Sequence, residues 1–122
     1  MPRVVHFDIG ADDPERAIRF YSDVFGWEVE KWQGPFDYWL LKTGDPTEPG
    51  IDGGLARRHD PSVCTINTIN VPSVDDFAKK ISANGGKILQ PKQAIPGVGY
   101  IVTCQDTEGN TFGIMEMDKS AK

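Results

Sequence analysis

The chain has 122 residues, of which 39% are hydrophobic and 25% are charged, and its formal net charge is −5. This length suits one domain with a real core, and the composition is ordinary for a globular protein. The acidic balance, without a basic run, argues against a nucleic-acid partner or an anionic membrane surface, and no apolar run approaches the roughly 20 residues that span a bilayer.

The first half of the chain predicts one helix among four strands. Asp13-Pro14-Glu15 is typical of a helix start, because Asp caps free N–H groups and Pro fits the first turn, and Gly26 ends this helix. The predicted strands are Val4–Ile9, Trp27–Trp32, Asp37–Lys42 and Gly53–Arg57, with a polar loop over Gly44–Gly50.

The second half predicts the same plan. Ser73, with Asp76 three residues later, is a helix start of the capping-box type, and Gly85-Gly86 ends the helix. The predicted strands are Thr65–Val71, Lys87–Gln90, Gly99–Cys104 and Thr111–Met117, with a loop over Pro91–Val98 and a tight turn over Asp106–Asn110.

The two halves align at a constant spacing. The helix caps Asp13 and Ser73 lie 60 positions apart, and the segments that begin at Gly53 and Phe112 lie 59 apart. The expected fold is therefore α+β: one domain, 1–122, of two tandem βαβββ modules, 1–60 and 61–122, whose mixed sheet curls around a central cavity with one helix per module outside. The helix-covered faces are expected to carry Phe7, Ile9, Ile69, Val71, Met115 and Met117.

Glu116 is the first candidate functional residue. It shares a strand face with Phe112 and Ile114, and a carboxylate at the end of an apolar row is costly to bury without a partner. We expect it on the uncovered face together with His6, where a partner must bind it or a charge such as that of Arg57 or His6 must pair with it.

The two cysteines, Cys64 and Cys104, form no CxxC motif, and we expect both to be buried free thiols in strands. The first ten residues have no long apolar segment of the signal-peptide type. These features together predict a cytoplasmic protein.

Several segments together resemble the vicinal oxygen chelate superfamily, which includes glyoxalase I, bleomycin-resistance proteins and extradiol dioxygenases. The segments cover nearly the whole chain: His6 with DDPERAIRFYSDVFGW (Asp12–Trp27), VPSVDDFAKKISANGGKIL (Val71–Leu89), IPGVGY (Ile95–Tyr100) and DTEGNTFGIMEMD (Asp106–Asp118). The resemblance is specific for the fold but weak for the reaction, because the superfamily spans many chemistries.

The resemblance implies metal ligands at equivalent positions of both modules, and His6 and Glu116 match the outer two. The repeat places Arg57 and Ile66 at the inner two positions, where neither side chain suits a metal, and a one-residue bulge would offer only Asn67. A divalent metal (Zn, Ni, Mn or Fe) is still a candidate cofactor if water or Asp8 completes the site, although catalytic sites usually have three protein ligands.

The loss of the inner ligands and the many aromatic residues favour a small-molecule-binding protein in the bleomycin-resistance style. Candidate ligand contacts are Asp8, Trp39, Arg57, Tyr100 and Ile114. Trp39 belongs to a group of aromatic side chains that walls a planar ligand or, in the alternative, forms core or a subunit interface. Tyr100 follows the glycines of a mobile lip.

Three alternatives stay open. The first is a metal-dependent lyase or isomerase resembling glyoxalase I, with Glu116 as the catalytic base or ligand. The second is a dioxygenase, whose iron site needs two histidines and one carboxylate. The chain has no second suitable histidine, because His59 falls in a polar loop. The third is a non-catalytic interaction module. The resemblance also implies a homodimer.

Overall fold

The computed structural model of the chain describes residues 2–122. The chain divides into two compact units, and we call His6–Ile66 the first unit and 67–122, which forms most of the other, the second unit. The elements follow each other as β1 (Arg3–Ala11), α1 (Pro14–Phe25), β2 (Glu28–Lys31), β3 (Trp39–Lys42), β4 (Gly53–Arg57), β5 (Thr65–Asn70), α2 (Val74–Ala83), β6 (Lys87–Ile95), β7 (Gly99–Gln105) and β8 (Thr111–Met117).

Each unit has the same mixed sheet. The strand order is β2-β3-β4-β1 in the first unit and β6-β7-β8-β5 in the second. In each sheet the last two strands are parallel and the other pairs are antiparallel. The α+β class and the tandem βαβββ plan are therefore confirmed.

The helix ends were predicted well because their signals are local. Asp13 accepts a hydrogen bond from the backbone N–H of Arg16, and Ser73 accepts one from that of Asp76. Gly26 adopts a left-handed conformation, with φ of 74°, directly after α1. None of the helices within residues 2–122 has the length and apolar character needed to cross a membrane.

In the first unit, one face of the sheet packs against α1. Its core consists of Ala11, Leu41 and Leu55, all nearly inaccessible to solvent, with surrounding apolar side chains from β1 and α1. Phe7 and Ile9 lie in this core as predicted. His6, Asp8, Leu40 and Gly54 alternate with these buried residues along the strands, so we call the surface that they form the open face.

In the second unit, the prediction of the covered face was wrong for β8. The core against α2 contains Val71, Val74, Val102, Cys104 and Ile114. Because side chains alternate along a strand, Glu116 lies on the same covered face as Ile114, whereas Met117 is 61% exposed. The repeat alignment indicates the correct covered face, because Ile114 corresponds to Leu55 of the first core.

The predicted loop over Pro91–Val98 is corrected. The segment that starts at Pro91 continues β6 to Ile95, as an irregular strand at the sheet edge where a proline is tolerated. The next turn is anchored at both sides, since Gly97 donates to the carbonyl of Ala121 and Asp118 donates to that of Val98. These two hydrogen bonds hold the turn on both sides, and its mobility stays a prediction.

The cysteines were half correctly predicted. Both thiols are free, and Cys104 is buried, but Cys64 is exposed. It lies just before β5, where the Arg58 guanidinium contacts its sulfur at 3.4 Å.

Candidate functional site

A polar cluster lies on the open face of the first unit. His6 and Asp8 are two residues apart on β1, so the strand period brings both to this face. Tyr38, just before β3, reaches across to them. We call these three side chains the His6–Asp8–Tyr38 cluster.

The cluster is closely hydrogen-bonded. The Tyr38 hydroxyl donates to Asp8 Oδ1 at 2.5 Å. His6 Nε2 lies 2.8 Å from the Tyr38 oxygen and 3.2 Å from Asp8 Oδ1. The His6 and Asp8 side chains each keep 30% of their surface exposed, so a small molecule has access to them.

The environment keeps Tyr38 protonated. Burial is the main cause that raises the pKa of Tyr38 far above its usual range, and the charge of Asp8 and the hydrogen bond to Asp8 raise it further. A neutral tyrosine has one O–H to donate, and here Asp8 receives it.

The Tyr38 hydroxyl lies directly over Gly54 of β4. A Cβ atom at this position would collide with the Tyr38 oxygen, so the cluster requires a residue without a side chain here. The Tyr38 ring also packs edge-on against Trp32, at 6.0 Å between centroids, and against Phe36, at 6.3 Å. Phe36 is 61% exposed and Leu40 is 39% exposed, which leaves apolar surface on and around the open face.

Glu116 has a different setting in the second unit. Its Oε1 accepts a hydrogen bond of 3.0 Å from the backbone N–H of Val74, the first residue of α2. This contact satisfies one of the N–H groups that every helix start leaves free, and a carboxylate also suits the positive end of the helix dipole. Helix capping thus accounts for the position of Glu116 without a role as a metal ligand or a general base.

Tyr100 lies opposite Glu116 on β7 and packs against the second core. Lys92 covers its ring, with Nζ at 4.5 Å from the centroid, and pairs with Asp75 at 3.1 Å. The pKa of Lys92 is raised, first by its hydrogen bond to Asp75 and also by the charges of Asp75 and Glu116. These contacts give Tyr100 a structural role.

The other predicted ligand contacts are not grouped. Trp39 is half-buried and packs against the first core, and Arg57 donates to the carbonyl of Asp12 at 2.6 Å. Ile114 is only 2% exposed. Its assignment to a ligand surface is corrected, because its side chain is enclosed by the second core.

The residues that the structure describes do not fit the metal that the resemblance implies. Within 2–122, no three His, Cys, Asp or Glu side chains come together with the geometry of a metal site. His6 Nε2 already contacts Tyr38 and Asp8, and Glu116 caps α2. The metal assignment to His6 and Glu116 stays a prediction.

Sequence reasoning placed His6 and Asp8 on one face of β1, as the structure does, but missed the contacts of Tyr38 with both. Its position depends on the loop between β2 and β3, whose path no local pattern fixes. The available signal was the Gly53-Gly54 pair inside a strand, since such a glycine often marks the close approach of another group.

A separate surface hollow of about 420 Å³ lies beside the start of α1. Asp12, Arg16, Phe20 and Arg58 are among the residues that line it. It contains none of the predicted site residues.

Comparisons with known proteins define the class. The family model described as Glyoxalase/Bleomycin resistance protein/Dioxygenase superfamily matches residues 3–114. A glyoxylase-like domain-containing protein from Didymella fabae is 35% identical over 115 residues, which cover 88% of each chain. The chain belongs to the glyoxalase/bleomycin resistance protein/dioxygenase superfamily.

Solved structures share the fold. A methylmalonyl-CoA epimerase in complex with methylmalonyl-CoA and NH4+ matches with a TM-score of 0.72 at 16% identity, over 100% of this chain and 99% of that one. A superfamily member from Vibrio splendidus 12B01 matches with a TM-score of 0.69 at 18% identity, over 97% of this chain and 100% of that one. At such identities the likeness supports the fold alone.

Proposed function

We propose that this chain is a glyoxalase-like small-molecule-binding protein whose ligand lies on the open face of the first unit. The observation that carries the proposal is the His6–Asp8–Tyr38 cluster, three interlinked polar groups beside exposed apolar side chains. Small-molecule sites combine apolar walls with a few placed polar groups in this way.

The proposal includes binding without a metal of the kind that the resemblance implies. The support is the donor set: His6 uses Nε2 within the cluster, and the side chain at the repeat-related position 60 residues later, Ile66 of β5, cannot ligate. A weakly metal-binding protein would need water or Asp8 in addition to His6.

A ligand screen tests this function. We would follow thermal stabilisation of the wild-type protein with a panel of small molecules, with and without a chelator, and measure metal content by inductively coupled plasma mass spectrometry. We expect hits that the chelator does not remove, that His6→Ala weakens and that the matched His59→Ala leaves unchanged, because His59 lies in an exposed turn.

A tightly held metal, about one per chain and needed for binding or turnover, would overturn the proposal. Turnover of methylglyoxal–glutathione hemithioacetal or of methylmalonyl-CoA that stops with the chelator would have the same meaning. Absence of any hit from a broad panel would favour the non-catalytic interaction module.

We also propose a homodimer, and here the structure changes the choice of variant. Trp39→Glu is unsuitable because Trp39 packs against the first core, so the charge would disturb the fold itself. Phe36 is exposed, so Phe36→Ser should leave the core intact. It replaces Trp39→Glu as the variant that should yield a monomer. Light scattering should give a dimer mass for the wild type, and a wild-type monomer would contradict the proposal.

A cytoplasmic location completes the proposal. Two free thiols are compatible with a reducing compartment. Cell fractionation tests this point.

A further inference from the structure

We infer that the second unit has its own binding site for a small neutral phenol, in a notch over Gly113 beside Thr68. The first unit contains an equivalent notch over Gly54, and there the Tyr38 hydroxyl occupies it. The inference concerns the second unit alone and goes beyond the proposed function, which places a ligand on the open face of the first unit.

The two glycines hold equivalent places in their sheets. Gly54 lies opposite Asp8 of the parallel strand β1, and Gly113 lies opposite Thr68 of the parallel strand β5. Residues that are directly opposite each other point to the same face of a sheet. Thr68 therefore stands beside the notch over Gly113 as Asp8 stands beside the notch over Gly54.

The hydroxyl that occupies the first notch has no counterpart in the second unit. Counting back two positions from the residue opposite the glycine gives Tyr38 in the first unit and Ile101 in the second. A Cβ atom at Gly54 would collide with the Tyr38 hydroxyl. At Gly113 the three nearest atoms all belong to Thr68, with Oγ1 at 3.1 Å and two carbons at 3.8 Å. No side chain described within 2–122 thus takes the place of Tyr38 over Gly113.

The Thr68 hydroxyl is an enclosed polar group that faces this notch. Thr68 is only 2% exposed, and within residues 2–122 no hydrogen bond joins its hydroxyl to another side chain or to the backbone. A buried hydroxyl costs free energy unless it is hydrogen-bonded. It can accept a proton from a ligand hydroxyl, as Asp8 accepts that of Tyr38. Because Thr68 carries no charge, it suits a neutral hydroxyl.

An apolar row on the same face of β8 leads from solvent to the notch. Met117 is 61% exposed, Met115 is half-buried and Gly113 is buried. Met115 lies opposite Ile101 of β7, so two apolar side chains border the notch. Methionine adapts its shape and makes favourable contacts with aromatic rings. A ring on these side chains, with its hydroxyl toward Thr68, repeats the way in which Tyr38 lies over its glycine.

A compound that copies the Tyr38 side chain tests the inference. 4-Methylphenol has the same ring and hydroxyl group, and toluene lacks only the hydroxyl. We would titrate the wild-type protein with each compound and follow the backbone amides by ¹H–¹⁵N NMR. The amides of Thr68 and Gly113 should shift with 4-methylphenol, and toluene should bind about tenfold more weakly, the usual effect of one net hydrogen bond.

Three variants locate the contact. Thr68→Val keeps the branched shape and removes the hydroxyl, so the preference for 4-methylphenol over toluene should fall to about one. Thr103→Val makes the same change on β7 and is the matched control, which should keep the preference at about tenfold. Gly113→Ala places a methyl group in the notch and should abolish the binding of 4-methylphenol, with urea denaturation to show that the variant is folded.

The outcomes separate this inference from the proposed function. Equal affinity of the wild type for both compounds, or an unchanged preference in Thr68→Val, would overturn the inference. So would amide shifts confined to the first unit, or no binding of 4-methylphenol at millimolar concentration. None of these results affects the proposed function, which the ligand panel and His6→Ala test on the first unit. The wild-type titrations also do not depend on the folding of any variant.

Discussion

The two units have separate cores of the same design but differ in where their polar groups lie. Leu55 and Ile114 occupy repeat-related positions, and both are almost fully buried against a helix. In the first unit the polar cluster lies on the open face, while in the second unit Glu116 lies on the covered face and caps α2. The repeat therefore keeps the packing and not the chemistry.

This difference shows why a repeat offset predicts packing better than function. Core positions are fixed by the need to exclude water on one side of each sheet, so the same spacing serves both units. Polar positions depend on single partners, such as Tyr38 for His6 and the Val74 N–H for Glu116. Arg57 and Glu116 illustrate the point, since they are repeat-related but have opposite charges and unrelated contacts.

The largest expected effect concerns the two equivalent cores, one in each unit. Leu55→Ala and Ile114→Ala each remove a fully enclosed side chain, which should lower the free energy of unfolding by about 2–5 kcal/mol. Urea denaturation measures the change. A loss below 1 kcal/mol at only one of the two sites would mean that the cores are not equivalent.

The next effect concerns the glycines that precede these residues in their strands. A methyl group at Gly54 collides with the Tyr38 oxygen, so Gly54→Ala should cost about 1–3 kcal/mol and displace the cluster. At Gly113 the added Cβ would lie 3.1 Å from Thr68 Oγ1, a tight contact that a small shift can relieve. Gly113→Ala should therefore cost less free energy of unfolding than Gly54→Ala. In both variants the alanine also reduces the entropy of the unfolded chain, which offsets part of the cost.

Chemical denaturation of both alanine variants, with ligand binding measured beside it, checks this order. Equal stability losses, or full ligand binding by Gly54→Ala, would show that Tyr38 is free to leave its place over β4.

Much of the fold could be predicted from the sequence because its signals are local. Asp13 and Ser73 mark helix starts, and the turn at Asp106 is closed by its own side chain, which accepts from the backbone of Asn110. The extension of β6 past Pro91 was missed because a proline normally argues against a strand, and only its edge position makes it acceptable.

The candidate site was less predictable. The strand period brought His6 and Asp8 together, but the face of Glu116 depends on which alternate row of β8 meets α2. Both rows contain apolar residues, so hydrophobicity alone did not decide between Ile114 and Met115. The path of the loop that places Tyr38 is set by aromatic contacts among Trp32, Phe36 and Tyr38, which no spacing rule specifies.

A smaller effect separates Glu116 from its repeat-related partner. Glu116→Ala leaves the Val74 N–H without its acceptor and should lower the free energy of unfolding by about 1 kcal/mol, as for other helix caps. Glu116→Gln keeps an acceptor oxygen and should cost less. Arg57→Ala changes an exposed side chain and should stay within about 0.5 kcal/mol.

Thermal and urea denaturation of these three variants provide the measurement, with metal content determined on the same samples. Loss of a bound metal in Glu116→Gln, rather than a loss of stability alone, would support the prediction that Glu116 is a metal ligand.

The smallest expected effect concerns the loss of stability in acid that two exposed turns contribute. Hydrogen bonds from the Asn110 side chain and from the Asn110 and Glu108 backbone lower the pKa of Asp106, and bonds from the Ser62 backbone and hydroxyl lower that of Asp60. A carboxyl whose pKa is lower in the folded state adds stability above its unfolded pKa, near 3.8, and loses it as the pH falls through the folded value. Asp106→Asn should therefore be less stable at neutral pH and lose less on acidification below pH 3.8 than the wild type.

Asp60→Asn should show the same change to a smaller extent, because Asp60 accepts bonds from one residue where Asp106 accepts from more than one. The melting temperature, followed from neutral pH to below pH 3.8, measures both slopes. If the slopes of both variants matched that of the wild type, the turns would not contribute to acid sensitivity. A larger change for Asp60→Asn would reverse the ranking of the two turns.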